Sequence, residues 1–270
     1  MKKSILLFFA LFLVGSASAQ NKAYVSLGAG AGIGTARTYD LFTDGKKVHP
    51  VGLGKSLNFN LRAGYYVNEF LALELGICYH MGLSTKVEFE TSTGGVKSSS
   101  GTGNIKYKGN MLQLVPALVI SPDLDMEKVR PYARVGVIVG ILPSIIEKGD
   151  VTFGGSSYSY NDIFTFKYSG GVAIGGTAAI GCDFNLSDLL AIYAEIFYDA
   201  LSYAPSKGKY LKFEENGKDI LPDFTTSEKE YKYVKDLTGY TPKDSDPSQE
   251  LKNSYPFNSL GLNIGVKVKL

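Results

Sequence analysis

The sequence predicts an all-β fold, an eight-stranded antiparallel up-and-down β-barrel, and three observations support that prediction. Apolar and polar residues alternate along eight segments, most regularly in the last segment, 260–270, where every second residue is apolar. The connections between the segments alternate long and short along the whole chain. The last segment ends the chain with one apolar face and one polar face, so it needs a neighbouring strand, and in a closed barrel the first strand supplies it.

The amino terminus carries the pattern of an export signal. Lysines follow the first Met, an apolar run covers 5–14, and Ala17-Ser18-Ala19 has the small residues of a cleavage site. The apolar run has about ten residues, whereas a helix needs about 20 to cross a membrane. We therefore predict a signal peptide over 1–19 and one mature domain over 20–270.

The composition excludes several classes of function. The chain has 28 Lys and Arg and 26 Asp and Glu, and loss of two lysines with the signal peptide leaves 26 of each sign. A domain with no net charge has no basic field for nucleic acid, so no nucleic-acid partner is predicted. Cys78 and Cys182 fall on opposite faces of their strands, so we predict no disulfide. The two His and two Cys have no metal-site spacing, and we predict neither a metal nor a cofactor.

The eight alternating segments and their connections can be placed along the chain. The predicted strands span 23–33, 56–67, 70–83, 110–120, 131–142, 168–186, 189–203 and 260–270. The predicted long polar loops span about 34–54, 84–109, 143–167 and 204–258. In an up-and-down barrel with an even number of strands, such an alternation places all long loops at one rim and all short turns at the other.

The polar faces of the strands predict which side of the barrel points outward. Gly28, Gly30 and Gly32 make the first strand small on this face, and on the sixth strand the same face carries one charge, Asp183. A face turned to water carries many charges, whereas small uncharged residues suit a crowded barrel interior. A soluble lipocalin-like barrel with an apolar interior is the alternative. The sequence favours a transmembrane barrel, the one β-structure that satisfies every backbone group in lipid.

The pattern of the whole mature chain resembles the small eight-stranded outer-membrane barrels of the OmpA/OmpX type, a porin-like group of Gram-negative bacteria. The resemblance implies an outer-membrane location at the cell surface, with short periplasmic turns and long extracellular loops. It also implies outer-membrane lipid as the surroundings and the outer-membrane assembly machinery as a partner during insertion. Such barrels usually end in an aromatic residue, whereas this chain ends in Leu270. Pro116 in the fourth strand lacks an N–H, so we expect a bulge or a local break there.

The charged residues on the polar faces include four that are candidates for a network in the barrel interior: Arg62, Glu74, Arg134 and Glu195. Arg62 and Glu74 lie six residues to either side of position 68, so pairing of their two strands brings them together. Buried charges need partners, and an eight-stranded barrel is just wide enough to be filled by side chains. We predict a salt-bridge network that plugs the lumen. The alternative is a narrow pore for which this network is the gate.

A catalytic function has little support in the sequence. His80 faces inward near the outer end of its strand with Ser84 nearby, but there is no G-x-S-x-G motif. His49, the other histidine, lies in the first long loop. We predict that the chain is not an enzyme, and a lipid-modifying enzyme is the third alternative among the functions.

The loop over 204–258 is the longest and the richest in aromatic residues. A capping box, Ser227-x-x-Glu230, predicts a short helix over 228–237 that Gly239 ends. The candidate binding residues in this loop are Tyr210, Phe213, Phe224, Tyr231, Tyr233 and Tyr240. We predict a structural or surface-interaction protein that displays this loop to an extracellular protein or glycan. The alternatives are a loop that packs its own aromatics over the barrel mouth and a protein that carries small hydrophobic ligands or conducts through a narrow channel.

Overall fold

In the computed structural model of the chain, the described residues are 22–36, 38–39, 50–93, 99–122, 128–155 and 158–270. The predicted signal peptide, 1–19, and His49 lie outside these ranges. Helical structure within them consists of a 3₁₀ turn, Leu221–Asp223, and the helix α1, Thr226–Lys229. No helix in the described part of the chain is long and apolar enough to cross a membrane.

Strands make up almost all of the regular structure. In chain order they are β1 (Ala23–Gly34), β2 (Thr38–Tyr39), β3 (Pro50–Val51), β4 (Ser56–Tyr66), β5 (Leu71–Gly82), β6 (Thr85–Thr93), β7 (Ser99–Ile120), β8 (Val129–Gly155), β9 (Tyr158–Ser169), β10 (Ala173–Asn185), β11 (Leu190–Tyr203), β12 (Lys207–Glu215), β13 (Lys218–Asp219), β14 (Glu230–Val234), β15 (Ser248–Leu251), β16 (Tyr255–Pro256) and β17 (Ser259–Lys269).

Eight antiparallel strands close into a ring. Their order around it is β1, β4, β5, β7, β8, β10, β11 and β17, and β17 pairs with β1 to complete the circle. The N–H of Leu270 donates to the carbonyl oxygen of Ala23 at 2.8 Å, so both ends of the barrel meet at one rim. This arrangement confirms the predicted eight-stranded up-and-down barrel.

The apolar face of each barrel strand points outward. Leu27 is 65% exposed while its neighbour Ser26 is 2% exposed, and Ile264 is 62% exposed beside Asn263 at 7%. Buried Glu74 and Glu195 lie among the inward side chains. A soluble barrel would place its apolar residues inside, so this geometry excludes the lipocalin-like alternative and fits a surface that lipid covers.

Local side-chain hydrogen bonds form two of the short turns. The side-chain oxygen of Asn68 accepts from the N–H groups of Phe70 and Leu71 at 2.9 and 2.8 Å. The hydroxyl of Ser187 accepts from the N–H of Leu190 at 3.1 Å. Asn and Ser favour turns because their side chains replace a backbone acceptor in this way.

The polar segments 84–109 and 143–167, predicted as loops, consist largely of strands, and that prediction is wrong. β7 extends for 22 residues and β8 for 27, well beyond the barrel rim, where β6 pairs with β7 and β9 pairs with β8. We call the resulting structure the loop sheet. It consists of β6, 99–110 of β7, 144–155 of β8, β9, β12, β14 and β15.

The loop sheet was missed because only one of its faces is apolar and its residues are mostly small or polar. Val87, Ile105, Ile145 and Val151 point to the side that continues the lumen, and none is more than 4% exposed. Most of the outward positions that alternate with them are polar or charged: Lys86, Glu88, Asn104, Lys106, Ser144, Asp150 and Thr152. Packing against neighbouring strands, which propensity alone does not describe, determines whether such a segment forms a strand.

The irregularity at Pro116 is a local break, one of the two forms expected, and a register shift lies a few residues away. On the β5 side, Pro116 pairs with Leu75. On the β8 side, Leu114 and Ala117 are paired in the same register but Pro116 is not paired, so this ladder is interrupted without a bulge. The register shifts instead between Asn110 and Leu112 of β7. On β8 the shift coincides with Leu142, whose φ is 50°.

Two further boundaries differ from the prediction. The strand predicted over 168–186 is divided by Gly170 and Gly171, whose φ angles of 74° and 80° turn the chain from β9 into β10. The helix predicted over 228–237 is a single turn, α1, followed by β14. Its capping box consists of Thr225 and Glu228, because β14 pairs with β12 and β15 and takes Glu230 into the sheet.

Candidate functional site

The four charged residues predicted for the interior lie together at mid-height in the barrel. The guanidinium of Arg62 lies 2.7 Å from Glu195, and that of Arg134 lies 2.8 Å from Glu74 and 2.5 Å from Glu195. Arg62 and Glu74 are not directly opposed, because the register pairs Arg62 with Gly76, and their contact is the longest at 3.9 Å. The neighbour expected across the turn is therefore the weakest partner of Arg62.

We call Arg62, Glu74, Arg134 and Glu195 the charge layer. Hydrogen bonds from uncharged side chains satisfy their remaining polar atoms in part. Glu195 also accepts from the hydroxyl of Tyr132 at 2.8 Å and from the side-chain amide of Asn263 at 2.9 Å. Glu74 accepts from the hydroxyl of Tyr24 at 2.8 Å. Buried charges are tolerated when such bonds satisfy their remaining lone pairs. The alternation of the sequence places Tyr24, Tyr132 and Asn263 on the inward face, but it does not show which carboxylate each of them contacts.

A second ion pair fills the lumen nearer the short-turn rim. The ammonium of Lys267 lies 2.5 Å from the carboxylate of Asp183, and both side chains are almost fully buried. The same ammonium lies 4.7 Å from the ring centroid of Tyr24 and 5.0 Å from that of Tyr132. Aromatic faces attract cations at this distance, so the short-turn end is closed by a layer that sequence analysis did not single out.

A buried apolar cluster closes the lumen at the long-loop rim. Leu53 from the first long connection and Phe257 from the last lie 3% and 1% exposed, together with Tyr203 of β11. His80 lies beneath them, its ring 5.6 Å from Phe257 and its Nε2 3.3 Å from the carbonyl oxygen of Leu53. We call Leu53, His80, Tyr203 and Phe257 the mouth cap. His80 is 1% exposed, whereas Ser84 lies at the surface.

A small cavity remains between the charge layer and the mouth cap. Its volume is about 40 Å³, enough for a few water molecules at most. Lining residues outside the charge layer include Asn58, Cys78, Gln113, Thr177 and Asp199. Cys78 and Cys182 are free thiols. In the part of the chain that the structure describes, no group of three His, Cys, Asp or Glu side chains converges on a metal position.

The structure brings five of the six candidate residues of the last loop into one aromatic assembly. Tyr210 lies 5.3 Å from Phe213, 6.2 Å from Phe224 and 6.2 Å from Tyr231, measured between ring centroids. Tyr233 stacks at 5.9 Å on Tyr168 of β9. Tyr240, the sixth, lies apart from these ring pairs.

Tyr240 has a different role from the other five. Its hydroxyl accepts the backbone N–H of Gln249 at 3.0 Å and so ties the loop to β15. The structure thus separates this residue from the group in which it was predicted.

Sequence analysis missed the contribution of β9 to this assembly. Phe166 lies 4.7 Å from both Tyr168 and Tyr210, and Phe164 lies 6.1 Å from Tyr210. We call the assembly the aromatic face; its members are Phe164, Phe166, Tyr168, Tyr210, Phe213, Phe224, Tyr231 and Tyr233. The alternation of aromatic residues along 160–168 was the signal, but it fell within a segment predicted as a loop.

The aromatic face lies on the side of the loop sheet that continues the lumen. Cross-strand partners share a face, and Tyr107, Glu147, Phe166 and Tyr210 are successive partners on β7, β8, β9 and β12. Glu147 accepts from the hydroxyls of Tyr107 and Tyr168 at 3.2 and 2.7 Å. Burial and the neighbouring carboxylate raise the pKa of Tyr168 above its usual value, so it remains a neutral hydrogen-bond donor.

One family model matches the chain over residues 5–228, and its description is outer membrane protein beta-barrel domain. Among solved structures, neisserial surface protein A has 13% identity and a TM-score of 0.37, covering 92% of this chain and 97% of its own. OprG of Pseudomonas aeruginosa has 12% identity and a TM-score of 0.43, covering 92% and 95%. Identities and TM-scores this low indicate nothing about function. No curated protein sequence matches the chain significantly.

Proposed function

The chain belongs to the outer membrane protein beta-barrel domain family, and from that premise we propose that it is a non-conducting barrel that anchors a binding surface outside the cell. The observation that carries the proposal is the obstruction of the lumen at successive heights. The Lys267–Asp183 pair, the charge layer and the mouth cap follow one another along the barrel axis. A barrel without an open path acts through its exposed surfaces, and exposed loops on a rigid scaffold commonly carry function.

The aromatic face is the binding surface that we assign to this function. Most of its rings are only partly buried, although each contacts another ring. Partly exposed aromatic side chains supply large contact areas at low cost in conformational entropy, and Tyr adds a hydroxyl for hydrogen bonding. An extracellular protein or glycan is the partner that this chemistry suits.

Planar-bilayer recording tests the closed lumen. We expect no discrete conductance from the wild-type barrel or from Phe257→Ala, because the charge layer still blocks the path beneath the mouth cap. Discrete conductance in the wild type would contradict the proposal and would support a channel.

Binding of the barrel in phosphatidylcholine nanodiscs to arrays of defined oligosaccharides and extracellular matrix proteins tests the aromatic face. We expect wild type to bind at least one array member and Tyr231→Ser to bind it about tenfold more weakly, a loss typical of an interface aromatic. The control is Tyr240→Ser, which alters the same loop outside the aromatic face. Equal losses in both variants, or no binding by wild type, would count against this assignment.

One observation favours transport of small hydrophobic ligands as a second candidate. Rings of the aromatic face continue inward, since Tyr168 lies 5.5 Å from Tyr255 and both pack against the buried cluster at the barrel mouth. Aromatic rings line this route from Tyr168 through Tyr255 toward Phe257, and the carboxylate of Glu147 lies beside it, bonded to Tyr168. Entry of an apolar fluorescent dye into liposomes, faster with the protein than without it and slowed by Tyr168→Lys, would support this candidate over the first.

We do not propose a catalytic role for His80. His80 is engaged with Leu53 and Phe257 inside the mouth cap, where a substrate does not reach it.

A further inference from the structure

Lysines are concentrated on the outward face of the loop sheet, the side opposite the aromatic face. Along β7 the outward positions run from Leu114 and Leu112 through Asn110 to Lys108 and Lys106, so the lysines continue the row of lipid-facing leucines. We call the whole set the lysine belt. Its members are Lys86, Lys106, Lys108, Lys148, Lys167, Lys207, Lys209, Lys212 and Lys232.

The register of the strands places several of these lysines directly opposite one another. Lys106 of β7 is the partner of Lys86 on one side and of Lys148 on the other. Lys167 is opposite Lys209, and Lys207 is opposite Lys232. The β-carbons of opposed residues lie about 5 Å apart, and like charges in these positions destabilise a sheet. The fold therefore maintains an arrangement that is unfavourable unless anions lie against it.

The protein itself supplies few of those anions. Lys86, Lys209 and Lys212 contact Glu88, Glu230 and Glu214 at 2.5, 2.8 and 2.9 Å. All three lysines are nearly half exposed, and ion pairs this exposed contribute little. Within the described residues, none of the other six lysines of the belt forms an ion pair.

The height of the lysine belt relative to the membrane identifies what lies against it. Lys108 is four residues beyond Leu112, which is about 13 Å along a strand and about 10 Å in height at a tilt of about 40°. The polar headgroup layer begins where the apolar band ends and is about 5–8 Å thick on each side. A lysine stem allows its ammonium to reach several ångströms back toward that layer.

We propose that the lysine belt binds the phosphate-bearing lipid headgroups of the outer leaflet around the barrel. The belt lies on the same outward face as the lipid-contacting residues and just beyond them, so the lipid headgroups are the nearest anions outside the protein. Lysines near an anionic membrane surface each contribute about 1 kcal/mol to binding. This inference is independent of what the aromatic face binds, because the two surfaces lie on opposite sides of one sheet.

The test compares the folded mature barrel in phosphatidylcholine vesicles with and without bisphosphorylated lipid A, the probe, and dephosphorylated lipid A as a matched lipid. The measurement is the temperature at which the heat-resistant form disappears on a gel. The belt variant carries Lys106→Gln, Lys108→Gln, Lys148→Gln and Lys167→Gln. The control removes as many exposed lysines from outside the belt and carries Lys218→Gln, Lys235→Gln, Lys243→Gln and Lys252→Gln.

We expect phosphorylated lipid A to raise the transition temperature of wild type and of the control, and the belt variant to lose most of that rise. Its affinity for the phosphorylated lipid, measured by native mass spectrometry, should fall about tenfold or more. In phosphatidylcholine alone the belt variant should be no less stable than wild type, because like-charge repulsion has been removed.

Three outcomes would overturn the inference. The first is that dephosphorylated lipid A raises the transition temperature as much as the phosphorylated form. The second is that the control loses as much of the rise as the belt variant. The third is that a soluble sulfated polysaccharide stabilises wild type in phosphatidylcholine vesicles while phosphorylated lipid A does not, which would assign the lysine belt to a soluble polyanion.

Discussion

At the scale of single residues, Glu195 holds the interior together. One carboxylate oxygen accepts from Arg62 and Asn263, and the other accepts from Arg134 and Tyr132. Removal of water from ions costs several kcal/mol for each ion, and a buried charge is stable only when its partners replace that water. Both arginines therefore depend on this one carboxylate.

Glu195→Gln should destabilise the barrel by about 3–5 kcal/mol, because it leaves two buried guanidinium groups sharing the single negative charge of Glu74. Unfolding in urea, followed by tyrosine fluorescence in lipid vesicles, measures this change. The matched control is Glu214→Gln, which breaks an exposed ion pair with Lys212 and should leave unfolding unchanged. Equal stability of wild type and Glu195→Gln would show that the charge layer does not hold the barrel together.

At the scale of elements, the extended strands β7 and β8 determine what stands outside the barrel. They carry the loop sheet as a continuation of the barrel wall, to which β9 is added beside β8 and β12 beside β9. The aromatic face packs closely because glycines leave space for its rings. A β-carbon at Gly208 would lie 2.5 Å from the Cζ of Phe166 and 2.9 Å from the hydroxyl of Tyr233.

Gly208→Ala should loosen the aromatic face and leave the barrel intact, because the ring of buried Phe166 must move while no barrel strand is touched. The expected signs are a weaker near-ultraviolet circular dichroism signal and faster proteolysis within 204–258. Gly176→Ala is the matched control, since its added carbon meets only the carbonyl oxygen of Gly136 at an ordinary 3.7 Å. Identical spectra and cleavage rates for the two variants would contradict this account.

At the scale of the whole molecule, the closed ring of eight strands is distinct from the strands of the loop sheet that lie outside it. β17 pairs with both β1 and β11, so it closes the ring. The strands β12, β14 and β15 belong only to the loop sheet. The family match confirms the resemblance to small outer-membrane barrels and the outer-membrane location. The assembly machinery as a partner during insertion stays a prediction.

Removal of 259–270 should abolish the heat-resistant form of the mature chain on a detergent gel, because β1 and β11 are left with open edges in lipid. Removal of 207–254 should preserve that form, since all eight ring strands remain. A heat-resistant form in the first deletion, or its absence in the second, would place the closure of the barrel elsewhere.

The candidate site was predictable only in part. The inward positions of Arg62, Glu74, Arg134 and Glu195 follow from alternation with a period of two, which each strand fixes by its own geometry. The strongest partner of Arg62 could not be predicted, because Glu195 lies 133 residues away and faces it across the lumen. The same holds for Lys267 and Asp183, which are 84 residues apart.

The sequence by itself determined the barrel, its number of strands, its rims and the side that faces lipid. These are local properties. Successive side chains of a strand point to opposite faces, so each pair of neighbouring residues shows which face is polar and which is apolar. Only the tertiary structure decided that 84–109 and 143–167 form the loop sheet, and which residues meet in the aromatic face and the lysine belt. Those features depend on the register between strands far apart in the chain, and a shift of one residue would turn every side chain to the opposite face.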